Sequence, residues 1–183
     1  MADAARVTLA DVLVSLSVLG LVMGATLITL EQGQQAWAVG AARVEAQQSA
    51  RAALTWLSAE VRAAGQGMTG TSHAAISVAE PTRMVLHVDK NQDGIIAVSG
   101  ETIVWRLDHD ILRRDTGGGG QPVINGVRAL AFAYFDAAGL PTADPAAVRT
   151  VRITLSTRAD HARSTPGAGL GATLTTEVRL RNR

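Results

Sequence analysis

Residues 12–30 form nineteen consecutive positions without a charged side chain, most of them Val, Leu, Ile, Met, Ala or Gly. A helix rises 1.5 Å per residue, so the run covers about 28 Å, close to the hydrocarbon thickness of a bilayer. A cleaved secretory signal has a shorter apolar core, a more basic start and a small-x-small site directly after it. Here only Arg6 stands against Asp3 before the run, and no such site follows. A helix buried in a soluble core does not need so long an uncharged stretch. A single membrane-spanning helix over 7–30 is therefore expected. Arg6 and the α-amine precede it, and the nearest base after it is Arg43, which places the N-terminus inside. One acid, Asp11, stands at the start of this segment. A carboxylate costs about 2.5–3.5 kcal/mol at mid-membrane and less near the edge, so it marks a partner.

The helical pattern continues past Leu30. Residues 31–64 contain no proline, and Ala50, Leu54, Leu57, Val61 and Ala64 recur at three- and four-residue steps. That is one apolar stripe ready to lie on something. Gly65 follows the basic Arg62, a C-terminal stop signal. One helix over 7–64 is expected, about 87 Å long at 1.5 Å per residue. Its first half is apolar all round and its second half amphipathic. Residues 65–72, rich in Gly, Thr and Ser, read as a flexible connector.

After the connector the period becomes two. Met84, Leu86 and Val88 alternate with Val85 and His87; Ile103, Trp105 and Leu107 alternate with Val104 and Arg106. The same holds for Leu130, Phe132 and Tyr134, for Val151, Ile153 and Leu155, and for Leu174, Val178 and Leu180. These predict antiparallel strands with one buried face, separated by Asp- and Gly-rich turns. The domain reading is a short leader at 1–6, the helix at 7–64, the connector at 65–72 and a β domain at 73–183. The fold class is α+β: a long N-terminal helix packed on an antiparallel β-sheet domain, its amphipathic half covering a sheet face.

A net charge of +1 leaves no basic surface for nucleic acid, and the absence of cysteine removes disulfides and thiolate metal sites. Asp89-x-Asn91-x-Asp93-Gly94 matches the first half of a calcium loop. Gly100 holds the twelfth position, where a bidentate acid is required, and Glu101 comes one later. A polar hairpin turn is the favoured reading of these residues, and a weak calcium site the sharper one. The four histidines do not pair at i, i+4 spacing, so no metal follows. No Gly-x-Ser-x-Gly elbow frames a serine, and no enzyme is expected. The segment 117–120 lacks the Lys-Ser/Thr of a phosphate loop and reads as a plain loop.

Val7-Thr-Leu-Ala-Asp11-Val-Leu-Val-Ser-Leu resembles the start of type IV pilin-like proteins, which have Phe-Thr-Leu-(Ile/Val)-Glu there. Arg51-Ala-Ala-Leu54, Leu57 and Glu60-Val-Arg62-Ala-Ala-Gly65 are similar to the helix end of J-type pseudopilins of type II secretion and W-type minor pilins. Ile103-Val-Trp-Arg-Leu-Asp108, Leu130-Ala-Phe-Ala-Tyr134 and the closing Val178-Arg-Leu-Arg-Asn182 fit the same subgroup. The resemblance spans nearly the whole chain, and the order of these pieces carries it. It implies a minor pilin or pseudopilin at or near a filament tip, in a type IV pilus or type II secretion pseudopilus. It further implies an inner-membrane anchor, a periplasmic β domain, other pilins or pseudopilins as partners through the N-terminal helix, and no cofactor. In such a filament Asp11 would pair with a neighbour's N-terminal amine and set the axial register. Two positions depart from the pattern. The family's prepilin peptidase cuts after a glycine, and Arg6 stands there, so cleavage and methylation at Val7 do not follow from the resemblance. Asp11 replaces the family's glutamate, which keeps the charge and shortens the reach. The alternative is a membrane-anchored periplasmic binding module, with calcium at Asp89, Asn91 and Asp93.

Overall fold

The computed structural model describes residues 8–68, 73–158 and 171–182. It is α+β: one long helix, α1 (Leu9–Ala63), followed by antiparallel strands. The chain divides into two compact units, Met1–Ala41 and Ala42–Arg183. The division falls within α1, so the second unit takes in the last part of the helix together with the strands.

In the first unit, residues 12–30 of α1 are uncharged and mostly apolar. An 18-residue window reaches a mean hydropathy of 2.2 with none of it buried. Its hydroxyl side chains close on the helix itself: Ser15, Ser17, Thr26 and Thr29 donate to the carbonyls of Asp11, Leu13, Val22 and Ala25. This satisfies each hydroxyl locally, which an apolar solvent demands.

In the second unit, β1 (Ile76–Ala79), β2 (Arg83–His87), β3 (Thr102–Asp108), β4 (Ile111–Asp115) and β5 (Gln121–Ile124) form a five-stranded antiparallel sheet in chain order. β6 (Val127–Phe135), β7 (Thr150–Arg158) and β8 (Gly171–Arg179) form a three-stranded sheet, again in chain order. Asn125-Gly126, with Gly126 at φ +69°, turns the chain from one sheet to the next. The buried stripe of α1 (Ala50, Leu54, Leu57, Val61) shares one core with Met84, Leu86, Trp105 and Leu112 of the first sheet. Leu130, Phe132, Val151, Ile153, Leu155 and Val178 of the second sheet complete it. The stripe is the one the sequence periodicity picks out. Tyr134, whose phenol burial holds above its ordinary pKa, donates from its hydroxyl to the Glu80 carbonyl at 2.9 Å and ties the sheets together.

The end of α1 is fixed by tertiary contacts. Gly65 adopts φ +81°, and a Cβ there would lie 2.3 Å from the Asn182 carbonyl oxygen. The Asn182 amide donates to the carbonyls of Arg62 and Ala63 at the helix end, where the Ala63 carbonyl also accepts from the Gln66 N–H. The described part of the connector is held as well. Gly65 donates its N–H to the His87 carbonyl, and Asp89 donates to Gln66.

Three differences from the sequence pattern stand out. β1 and β5 have no clear alternation and are defined by pairing alone. β2 is buried on both faces: Val85 and His87 are as hidden as Met84 and Leu86. Between β2 and β3 there is no tight hairpin but a long loop that bends at Gly100, with φ +87°, before β3 begins.

Candidate functional site

Asp11 sits in the first turn of α1. Its Oδ2 accepts from the Thr8 backbone N–H at 2.9 Å and from the Thr8 hydroxyl at 2.7 Å. In return the Thr8 hydroxyl accepts from the Asp11 N–H at 3.3 Å. This is a reciprocal capping box with an aspartate in the usual glutamate place, and it starts the helix with negative charge at the positive end of its dipole. The Thr-x-x-acid spacing before an apolar run is a sequence signal for this cap that the reading of Asp11 as a register mark passed over. Oδ1 takes no hydrogen bond among the described residues, so one oxygen stays open to a partner's cation. Around it Leu9, Val12, Leu13, Leu16 and Leu19 are exposed. Arg6 and Val7, the processing region, lie outside the described residues.

Further along the same unit Met23, Leu27, Leu30 and Trp37 line one side of the helix, with Trp37 77% exposed. Such a surface can be taken up by lipid tails or by other apolar helices.

The candidate calcium residues lie in the loop between β2 and β3. Asp89, 2% exposed, accepts from the N–H groups of Gln92 (2.6 Å) and Gly94 (2.9 Å). Asn91 donates to Asp93 at 2.8 Å and accepts from the Asp93 N–H. Glu101, 6% exposed, reaches back under the loop and accepts from the N–H groups of Lys90 and Ala97, each at 2.9 Å. These amides, that of Ala97 foremost, hold the Glu101 carboxyl below the usual carboxylate range. The loop is thus an internally hydrogen-bonded turn. No group of three or more acidic, His or Cys side chains is arranged for a metal among the described residues. The buried role of Glu101 is partly legible in the sequence as the acid one place beyond the calcium pattern.

His87 lies against the start of this loop. Its Nε2 is 2.8 Å from the Ser77 hydroxyl and its Nδ1 is 3.2 Å from the Thr102 hydroxyl. The His73 ring, distant in sequence, is 6.2 Å away. Burial first, and His73 second, push the His87 pKa down. Among the described residues the ring is held by two hydroxyls, not by a carboxylate.

Sequence reasoning missed one polar cluster. Glu60 of α1 accepts from the Trp105 indole at 2.6 Å and from Arg114 at 2.8 Å through Nε, with a second Arg114 nitrogen at 2.6 Å. Arg114 stacks over Trp56 at 4.9 Å, and Trp56 meets Trp105 edge-on at 5.9 Å. Only the pairing of Trp105 with Arg114 across β3 and β4 aims both donors at one helix residue.

No protein-family model matches the chain, and no curated protein does. Among solved structures it is similar to a type IV-like pilin from Thermus thermophilus, with a TM-score of 0.48 and 14% identity over 74% of this chain and 95% of that one.

Proposed function

We propose that the chain is a minor pilin or minor pseudopilin, a structural subunit that joins a helical filament through the exposed apolar part of α1. The observation that carries this reading is a helix whose first part hides nothing of its apolar surface while its last part is built into the core of a β domain. A plain anchor needs only apolarity. Here an acid stands at the start, one carboxylate oxygen committed to the helix cap and the other open. The resemblance of residues 7–16 to the pilin-like start, and the order of the segments after it, support the same assignment. On this reading the apolar helix waits in the inner membrane with the β domain on the periplasmic side. Helices of several subunits then bundle, and Asp11 meets a neighbour's N-terminal amine. In that water-poor core an unpaired carboxylate is strongly penalised, so pairing fixes the axial position of each subunit. A place near the filament tip follows from the likeness to J-type and W-type subunits.

The test is Asp11→Asn, which retains a capping acceptor while removing the charge. Membrane insertion should be unchanged and incorporation into filaments should fall at least tenfold, measured by shearing and immunodetection. Normal incorporation of the variant would overturn the assembly role of Asp11.

A further inference from the structure

The outward N–H and C=O groups of an edge strand are a template for another strand, and proteins shield them by shortness, proline, bulges or a covering loop. Of the four edges of the two sheets, three are shielded. β1 has four residues and a register shift between Ile76 and Val78. β5 has four residues, contains Pro122 and pairs with β4 through another shift. The outer edge of β6 is covered: Phe132 donates to the Pro81 carbonyl, Thr142 donates to the Tyr134 carbonyl, and Phe135 bridges to Pro141. β8 differs. Its nine residues pair with β7 in unbroken register, include no proline, and have no strand on their other side among the described residues. Its two charges, Glu177 and Arg179, stand together at one end.

The phase of the ladder tells which backbone groups are open. Arg158 donates its N–H to the Gly126 carbonyl, and Leu180 donates to the Arg149 carbonyl. In an antiparallel pair, hydrogen-bonded and non-hydrogen-bonded positions alternate. Ala172, Leu174, Thr176 and Val178 therefore face β7, and the N–H and C=O groups of Thr173, Thr175 and Glu177 point away from the sheet.

We propose that β8 pairs with β8 of a second copy of this chain, antiparallel about a two-fold axis at Thr175. In this register Thr175 is opposite Thr175, and Thr173 of each copy is opposite Glu177 of the other. Each such pair exchanges two hydrogen bonds. On the inner face Leu174, half-buried in one copy, meets Thr176 of the other. Both charges meet uncharged residues, Glu177 at Thr173 and Arg179 at Gly171. A parallel, in-register pairing would set each charge against its own copy, and like charges directly opposite are destabilising. The strand is thus its own antiparallel complement, which selects a second copy over an unrelated strand. The contact uses the β domain alone and stands apart from the filament role of α1.

The chain has no cysteine, so single cysteines report the register. Cα atoms of a hydrogen-bonded antiparallel pair lie about 5.5 Å apart, within the reach of a disulfide. Thr173 and its copy are offset by four residues, about 13 Å along the strand. The full chain in nonionic detergent is oxidised with copper–phenanthroline and read on non-reducing gels. Thr175→Cys should form a covalent dimer at least tenfold faster than Thr173→Cys or Glu177→Cys alone. A mixture of Thr173→Cys and Glu177→Cys should crosslink at least tenfold faster than either alone. Thr175→Lys sets two like charges opposite each other at the axis. It should weaken the dimer at least tenfold in sedimentation equilibrium, with the urea midpoint unchanged. Equal rates at the three positions, no crosslinking at Thr175, no gain on mixing, or an undiminished dimer of Thr175→Lys would each overturn the proposal.

Discussion

Replacing Glu60 by alanine tests how the last part of α1 is fastened to the five-stranded sheet. Two groups lose their acceptor. The Trp105 indole N–H belongs to a side chain with no exposure, and an unsatisfied buried donor costs about 1–3 kcal/mol. The Arg114 guanidinium, 21% exposed, keeps partial access to water, so its loss lies below the 3–5 kcal/mol of a fully buried broken pair. A total of about 3 kcal/mol follows, or roughly a hundredfold in the folded-to-unfolded ratio. With a urea slope of about 2 kcal/mol/M, the midpoint should drop by about 1.5 M. The assay is urea unfolding of the full chain in nonionic detergent, read by fluorescence of Trp56 and Trp105. Glu60→Gln retains an acceptor for the indole and should lose about half as much. A loss below about 1 kcal/mol for Glu60→Ala would refute the reasoning, because the cluster would then behave as a screened surface pair.

Two further outcomes follow from the loop region. His87 has a lowered pKa when folded, so the unfolded chain binds more protons once the pH drops below about 6.5. Stability should be constant above that pH and fall below it until the folded group titrates. Urea midpoints of His87→Gln should lose that slope between pH 6.5 and the carboxylate range, and an unchanged slope would assign it elsewhere. Calcium titrated calorimetrically into the chain should give no heat, since Asp89 and Glu101 already accept backbone N–H groups. Stoichiometric binding heat would make the loop a metal site.

Some of this architecture is written locally and some is not. The core stripe of α1 and the alternating strands β6 and β7 were readable because each residue's burial follows from its own periodicity. The same alternation misled in β2, whose second face is buried too. β1 and β5 are short, and their strand character comes from the neighbours they pair with. Of the candidate site residues, the structure sets Asp11 in a helix cap and gathers Asp89, Asn91 and Asp93 into one turn with Glu101.

By itself the sequence determined an uncharged run long enough to cross a bilayer, an acid at its start, and a glycine able to take the left-handed turn after the helix. Those are properties of consecutive residues, set by side-chain polarity and backbone freedom. Tertiary structure decided which distant residues meet. Glu60 finds Trp105 and Arg114, and Arg83, Arg106 and Arg113 fall into one row. Both depend on strand register, and shifting a strand by one residue sends every side chain to its other face.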